Sequence, residues 1–235
     1  MKESRNVNQA NGNVLINAAD ISRHYTMADG TVQALSNVSL TVNVGEFIAI
    51  TGPSGSGKST LMNILGLLDT CDSGTYMFSG LDTKTLADNE LSHIRNERIG
   101  FVFQSFNLIP TLSVVENVAL PLTYRGIPTA KRLERSLSAL EAVGLSGRLS
   151  HKPYELSGGQ QQRVAIARAI AADPDLILAD EPSGSLDTKN KEELHKLFFD
   201  LRDQMHQTFV IVTHDEQLAT DTDRVIHIKD GVVQL

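Results

Sequence analysis

The sequence contains one cysteine, no long apolar run and no excess of positive charge. The single cysteine, Cys71, cannot form a disulfide within the chain, which favours a reducing compartment. No segment approaches the ~18 apolar residues that a membrane-spanning helix needs, so work at a membrane would require another chain. The formal net charge of -7 argues against a nucleic-acid-binding protein, because such proteins usually carry a basic face.

The length and composition are those of an ordinary globular protein. The 235 residues, 41% hydrophobic and 21% charged, can bury a substantial core and form one large domain or two small ones. Residues 1–13 are polar and lack the apolar segment of a secretory signal, so we expect a disordered tail there. Residues 14–51 place apolar residues among polar ones at strand spacing, which predicts a region rich in β-strands.

Tyr25 is an isolated aromatic residue within this strand-rich region. Its flat ring could stack on a purine base, because aromatic faces suit flat bases. It could equally pack on the sheet as an ordinary strand residue, and the pattern by itself favours this second interpretation.

The most informative stretch fits the pattern G-x-x-x-x-G-K-[ST]. It consists of Gly52, Pro53, Ser54, Gly55, Ser56, Gly57, Lys58, Ser59 and Thr60. An apolar run at residues 47–50 precedes it and a helical pattern at residues 61–65 follows. Glycines let successive N–H groups point at phosphate oxygens, and the helix N-terminus also favours an anion. Lys58 would reach the β- and γ-phosphates and the Ser59 hydroxyl would bind Mg²⁺. The alternative is a glycine-rich turn with a solvated lysine.

Polar residues directly follow three further apolar runs that are typical of buried strands. They are Gln104 after residues 99–103, Asp180 and Glu181 after residues 175–179, and His214 after residues 209–213. In nucleotide-binding sheets the carboxyl ends of the strands face the ligand crevice. The four side chains are therefore candidates for one site at that edge of the sheet.

Each of these polar residues has a functional and an ordinary interpretation. Asp180 would hold Mg²⁺ through water and Glu181 would polarise the attacking water, because neighbouring strand residues point to opposite sides. A surface acidic turn is the alternative, and it fits poorly with the apolar residues that lead into the pair. Gln104 could hold a Mg²⁺-bound or attacking water, or lie on the surface. His214 could contact a γ-phosphate, or be a surface or packing residue.

Residues 105–155 have a different character, apolar and interrupted by proline, with no alternating strand pattern. An amphipathic helix is predicted at residues 131–143, with Leu133, Leu137 and Leu140 on one stripe. We interpret this region as a helical subdomain inserted in an α/β core.

A second hydroxyl-and-glycine sequence opens a predicted helix after this insert. It consists of Ser157, Gly158, Gly159 and Gln160. By the same dipole argument it is a second potential anion site, but an ordinary serine N-cap explains it too, and the short motif alone favours the cap. Further along, the loop at residues 183–187 ends in Asp187, a plausible cap for a helix expected over residues 188–205.

In order and spacing, these motifs resemble those of the ATP-binding cassette (ABC) ATPases. The resemblance covers about residues 14–235 and includes the phosphate loop, LSGGQ at 156–160 and LILADE at 176–181. SGSGKSTLMNILGLLD, GFVFQSFNLIP, ENVALPL and LSGGQQQRVAIARA resemble the MacB/LolD branch, which serves macrolide export and lipoprotein release. Cell-division ATPases share much of this pattern. Ser183 and Ser185 depart from the Thr and Asn usual in the branch, which loosens the branch assignment.

The resemblance implies an α/β fold: a P-loop NTPase domain of ABC type, spanning residues 14–235, with an N-terminal antiparallel β subdomain and a helical subdomain at about 105–160. It implies that Tyr25 stacks on adenine and that Gln104 joins Ser59 and Asp180 around Mg²⁺. It further implies Glu181 as catalytic base and His214 as the γ-phosphate contact. Residues 157–160 would bind ATP held by a second copy, with Asp187 where the copies touch.

The implied function is that of an ATP-hydrolysing subunit. It would form a homodimer on Mg-ATP and drive export or mechanotransmission through a separate transmembrane permease, from the cytoplasmic face of the membrane. The alternative is an ATPase that regulates a cell-division or envelope-remodelling complex without transport. We expect no nucleic-acid partner, because soluble ABC ATPases of that kind usually carry two cassettes or a long coiled coil, and neither is present here.

Overall fold

The computed structural model describes residues 13–27 and 30–234. The tail expected at residues 1–13 lies outside this range except for Asn13. The strands are β1 (Val14–Met27), β2 (Gly30–Asn43), β3 (Phe47–Thr51), β4 (Ser73–Phe78), β5 (Leu81–Asp82), β6 (Ile99–Phe103), β7 (Leu176–Asp180), β8 (Thr208–Val212), β9 (Arg224–Lys229) and β10 (Val232–Gln234). The helices are α1 (Lys58–Leu65), α2 (Asp88–Arg98), α3 (Val114–Tyr124), α4 (Thr129–Ala142), α5 (Gly158–Ile170), α6 (Thr188–Met205) and α7 (Glu216–Asp221).

A six-stranded sheet with the order β10-β9-β3-β8-β7-β6 forms the centre of the fold. Strands β9, β3, β8, β7 and β6 are parallel, and β10 pairs antiparallel with β9 at one edge. The central strands β3, β7 and β8 are short apolar runs because helices cover both faces of a parallel sheet. The carboxyl ends of β3, β6, β7 and β8 therefore lie at one edge, where the candidate site residues follow them.

The two faces of this sheet pack against two separate hydrophobic cores. In β3, Ile48 and Ile50 join the core that contains α1, whereas Phe47 and Ala49 join the core that contains α3, α4, α5 and α6. This division follows from strand alternation, which sends successive side chains to opposite faces. Helices α1 and α5 consequently lie on opposite faces of the sheet.

A second, four-stranded antiparallel sheet with the order β2-β1-β4-β5 covers the α1 side. Its long β1–β2 pair accounts for the strand-rich pattern of residues 14–51. The Ser36 N–H donates to the Gly231 carbonyl at 2.8 Å, and the Gly231 N–H donates to the Ser56 carbonyl at 3.0 Å. Strand β2, the β9–β10 turn and the phosphate loop are thus joined directly.

The helical region between β6 and β7 contains α3 and α4 and leads into α5. Helix α4 forms as expected, and Leu140 of the predicted stripe is buried together with Ser136 and Ala139, whereas Leu133 and Leu137 are 49% and 37% exposed. The prediction followed the largest apolar residues. Two of the three buried residues, Ser136 and Ala139, are small, and the Ser136 hydroxyl donates to the Arg132 carbonyl. No helix in the described ranges is long and apolar enough to cross a bilayer.

Candidate nucleotide-binding site

The phosphate loop runs from the end of β3 to the start of α1. Gly52 and Gly57 have φ values of 148° and 102°. A β-carbon on Gly52 would overlap the Ile228 carbonyl, and one on Gly57 would overlap the Ala34 carbonyl. Only glycine fits at these two positions, because β9 and β2 press against the back of the loop.

Lys58 is the first residue of α1 and its side chain folds back over the loop. The residue is buried, and its Nζ donates to the carbonyls of Gly52 and Pro53 at 2.8 Å each. A helix N-terminus and a buried ammonium group thus act together at one place. This arrangement can bind an anion, as the sequence predicts.

Asp180 and Glu181 lie at the end of β7, but strand alternation does not separate them as expected. Asp180 is the last residue of β7, whereas Glu181 lies beyond the strand with a φ of 44°. The Glu181 N–H donates to the Val212 carbonyl at 2.9 Å, which holds this left-handed turn against β8. The turn, rather than the pleat of the strand, places the Glu181 carboxylate. A non-glycine residue in this conformation costs about 1 kcal/mol or more and often marks a functional site.

His214 contacts the Glu181 carboxylate. Its backbone N–H donates to Glu181 Oε2 at 3.2 Å, and its Nε2 lies 3.1 Å from Oε1 without hydrogen-bond alignment. Burial raises the pKa of Glu181, and the hydrogen bond and charge of His214 oppose this rise. Burial also raises the pKa of Asp180, against the nearby charge of Lys58. The two carboxyl groups therefore lie where negative charge is costly unless a cation arrives.

Gln104 directly follows β6 and is exposed. A β-carbon on Gly184 would lie 3.0 Å from Gln104 Nε2, and the Ser185 hydroxyl donates to the Gln104 carbonyl at 3.4 Å. Gln104 therefore contacts the loop that follows Glu181. The structure thus gathers the residues predicted at this sheet edge.

Arg168 is a contributor to this region that the sequence interpretation missed. Its guanidinium donates to the Phe106 carbonyl at 2.9 Å and the Asn107 carbonyl at 2.6 Å. Both of these loop residues have positive φ values, 57° and 49°. Helix α5 thus holds the backbone of the loop that carries Gln104. No local sequence signal marks an arginine for this contact.

Residues 157–160 form the N-terminus of α5. The Ser157 side chain accepts from the Gln160 N–H, and Gln160 Oε1 accepts from the Ser157 N–H at 3.0 Å. One isolated copy of the chain therefore has the ordinary serine N-cap that the motif alone favours. Ser157 and Gly158 are exposed, as is Asp187, which caps α6. These residues form a second cluster, and α5 lies on the face of the sheet opposite α1.

The fold and the phosphate loop define a P-loop nucleotide-binding cassette, and comparisons with known proteins agree. A family model described as ABC transporter matches residues 35–184. The chain is 52% identical over 209 residues to the lipoprotein-releasing system ATP-binding protein LolD of Bacteroides thetaiotaomicron, covering 89% of this chain and 96% of that protein. It is 49% identical over 219 residues to the macrolide export ATP-binding/permease protein MacB of Chlorobaculum tepidum, covering 93% of this chain and 33% of MacB.

Solved structures extend the likeness to the whole fold. The dimeric bacterial ABC transporter cassette MJ0796 matches with a TM-score of 0.85 and 45% identity, covering 94% of this chain and 97% of that chain. A post-hydrolysis dimer of the same cassette, bound to ADP and Pi, matches with a TM-score of 0.85 and 44% identity. The chain belongs to the ABC transporter family, as its ATP-binding, ATP-hydrolysing component. The expected fold class, family and ATPase activity are confirmed, and so is the likeness to the MacB/LolD type.

Proposed function

We propose that two copies of this chain close around Mg-ATP, each completing its partner's pocket with residues 157–160. The placement of α1 and α5 on opposite faces of the six-stranded sheet carries this proposal. Both helices begin with N–H groups that favour an anion. Because the sheet separates the two N-termini, a γ-phosphate seated on the phosphate loop needs a second copy to supply α5. The exposure of Ser157, Gly158 and Asp187 suits such an interface.

Within each pocket, Glu181 is the general base and His214 holds it in place. Burial raises the pKa of the Glu181 carboxyl, which makes it a stronger base than an exposed glutamate. The His214 N–H fixes one carboxylate oxygen, and its ring lies beside the other, in reach of a γ-phosphate. Gln104 approaches the same edge and helps to order the attacking water. Tyr25 stacks on the adenine.

Ser59, Gln104 and Asp180 are the residues that would hold Mg²⁺. In the part of the chain that the structure describes, no three His, Cys or carboxylate side chains gather as a metal site. Mg²⁺ commonly uses one or two carboxylates together with substrate phosphates and water, and Asp180 supplies one carboxylate in this donor set. Asp180 also fits, because burial disfavours its charge and a divalent cation would compensate for it. When bound, Mg²⁺ neutralises phosphate charge during transfer.

The test uses two complementary variants in a Glu181→Gln background, which removes the base and preserves the nucleotide. Lys58→Ala should abolish nucleotide binding and keep residues 157–160 intact. Ser157→Arg should disrupt residues 157–160 and keep nucleotide binding intact. We expect each variant alone to stay monomeric with ATP in size-exclusion chromatography with light scattering. Their mixture should form a heterodimer with one nucleotide. Failure of the mixture to dimerise, or loss of ATP binding by the Ser157→Arg monomer, would contradict completion by a second copy.

A groove between α2, β6, α3 and α5 is the surface that we assign to the transmembrane permease. Its volume is about 630 Å³, and its rim includes Leu68 and Tyr124, which are 49% and 76% exposed. Large exposed apolar residues beside a groove are typical of an interaction site. The groove also borders Asn107, in the loop after Gln104. A permease segment seated there would therefore contact the loop that leads to the catalytic edge.

The partner assignment has a direct test in the native complex. Tyr124→Asp is expected to reduce recovery of the permease with this chain from solubilised membranes, and to reduce permease-stimulated ATPase activity. Basal ATPase activity of the isolated chain should stay unchanged. Tyr154→Asp, at a residue with 77% exposure outside the groove, is the matched control. Equal recovery with both variants would exclude the groove as the docking surface.

The relatives favour a permease of the lipoprotein-releasing or macrolide-exporting type, which would place this chain at the cytoplasmic face of the membrane. Sequencing the co-purified membrane protein tests the branch, because a cell-division partner would select the alternative function. Protease protection in inverted and right-side-out vesicles tests the face. Cleavage of the bound chain only in right-side-out vesicles would contradict the assigned location.

A further inference from the structure

Arg23 and Asp69 form an ion pair with two hydrogen bonds beside the candidate adenine site. Arg23 Nη2 donates to Asp69 Oδ1 at 2.7 Å, and Arg23 Nε donates to Asp69 Oδ2 at 3.1 Å. The Tyr25 hydroxyl donates to the same Oδ2 at 2.6 Å. A bidentate arginine–carboxylate pair fixes orientation as well as distance. Asp69 is therefore a rigid anchor for the end of the Tyr25 ring.

Arg23 also covers one face of that ring. Its guanidinium carbon lies 4.9 Å from the centre of the Tyr25 ring. Its Nη1 donates to Asp72 Oδ1 at 2.7 Å, and Asp72 Oδ2 accepts from the backbone N–H of His24. Two carboxylates thus hold the guanidinium in position, and the Arg23 side chain is only 20% exposed. The covered face cannot accept a base, which leaves the opposite face of the partly exposed ring.

The network is tied to the phosphate loop at two points. Tyr25 pairs with Val32 on β2, and two residues further along β2, about 7 Å away, Ala34 presses against Gly57 of the loop. Asp69 lies just beyond α1, the helix that begins in the phosphate loop. The side chain that would meet the base and the backbone that would meet the phosphates are therefore held in a fixed relation.

We propose that Arg23 and Asp69 are positioning residues for the nucleobase, which clamp Tyr25 with one ring face closed and the other presented to adenine. This inference rests on the proposed function, because it takes Tyr25 as the residue that stacks on adenine. A ring ordered before binding loses less conformational freedom when the base arrives, and this strengthens binding of the base. The clamp acts on the base and leaves the phosphate contacts unchanged.

The test compares a ligand that has a base with one that has only phosphates. We would measure binding of ADP and of inorganic tripolyphosphate to the full chain by calorimetry. Arg23→Leu and Asp69→Asn are expected to weaken ADP binding about three- to tenfold and to change tripolyphosphate binding less than about twofold. Arg224→Leu is the matched control, because Arg224, at the start of β9, pairs with Glu46 in the turn between β2 and β3. Arg224→Leu should change the binding of neither ADP nor tripolyphosphate.

A double-mutant cycle shows whether Arg23 acts through Tyr25. In a Tyr25→Ala background, Arg23→Leu should weaken ADP binding by less than about twofold, since no ring is left to position. An equal loss for ADP and tripolyphosphate would show a general distortion of the loop and overturn the clamp. Unchanged ADP binding in Arg23→Leu, with weakened binding in Tyr25→Ala, would overturn the clamp and keep the adenine site. Unchanged ADP binding in Tyr25→Ala would show that Tyr25 does not bind the adenine.

Discussion

Gly159 lies directly against Asn190, so that a β-carbon on Gly159 would overlap the Asn190 side-chain oxygen. Asn190 Nδ2 in turn donates to Asp187 Oδ2 at 2.8 Å, and its backbone N–H donates to Asp187 Oδ1 at 2.9 Å. The N-termini of α5 and α6 are thus in contact within one copy. The residues proposed to bind the partner's ATP are therefore in contact with the helix that begins at Asp187, the residue expected between the copies.

Gly159→Ala is expected to lower the free energy of unfolding by about 1–3 kcal/mol, the usual cost of overpacking. Gly158→Ala is the control, because its β-carbon would make only ordinary contacts with Leu186 and Phe106. Since alanine favours helix over glycine, that control should be neutral or stabilising. Urea denaturation of the nucleotide-free chain measures the free energy of unfolding of both variants. If the obstruction is Asn190, adding Asn190→Gly should recover part of the loss in Gly159→Ala. Equal stability of the two alanine variants would refute the close contact.

Glu181→Gln should reduce kcat by about 10²–10⁴-fold, the usual contribution of a general base. It should also stabilise the nucleotide-free protein at neutral pH, because burial penalises the ionised carboxylate in the folded state. Burial raises the pKa of Glu181 in the folded state, so the folded state binds this proton more tightly than the unfolded state. The ionised carboxylate then disfavours folding above the folded-state pKa, and the difference disappears at pH values below the unfolded-state pKa.

Urea denaturation at neutral and at acidic pH checks this dependence. Glu192→Gln, at an exposed position on α6, is the control and should show little change at either pH. A Glu181→Gln variant with no gain in stability at neutral pH would show that burial does not penalise this charge. Turnover within threefold of the parent protein would remove Glu181 from the role of base.

Arg168→Met should lower the free energy of unfolding by about 1–3 kcal/mol, because two loop carbonyls would lose a charged donor. It should also lower kcat more than it raises KM for ATP, since the loop that carries Gln104 would lose its support. Arg163→Met on the same helix is the control, because Arg163 contacts Val143 and Glu193 instead. Identical kinetic effects of the two variants would contradict a specific role for Arg168.

His195 should make the protein less stable as the pH falls. It is buried in α6, and its Nε2 lies 3.7 Å from Asp215 Oδ2 without a hydrogen bond. Burial lowers the pKa of His195; Lys191 acts in the same direction, and the carboxylates of Asp215, Asp221 and Glu192 oppose it. The unfolded state therefore binds the proton more tightly. The stability present above the unfolded-state pKa, about 6.5, is lost as the pH falls toward the folded-state pKa.

The measurement is the Tm of the parent protein and of His195→Gln between pH 7.5 and 5.5. The variant should lose fewer degrees over this range. His93→Gln is the control, because the His93 side chain is 70% exposed. A parallel decline in all three proteins would show that His195 is not responsible.

The sequence predicted where most of the candidate site residues lie, because short apolar runs mark buried parallel strands, whose ends meet at one edge. It also predicted the phosphate loop, whose glycines reflect backbone conformations that few other residues adopt. It identified Leu140 on the buried face of α4 but not Ser136, since a small polar residue gives no apolar signal. It failed for Glu181, whose orientation depends on a left-handed turn against β8. The Arg23–Asp69 pair joins residues 46 positions apart, and no local pattern indicates such a contact.

In the proposed function, the placement of α1 and α5 on opposite sides of the sheet leaves each isolated copy with half of a composite nucleotide site. At low concentration, the rate of ATP hydrolysis by free copies then grows with the square of their concentration. A membrane partner that seats two copies side by side replaces that chance encounter with a fixed, high local concentration. The abundance of occupied permease, rather than the total amount of this chain, would then limit ATP consumption in the cell.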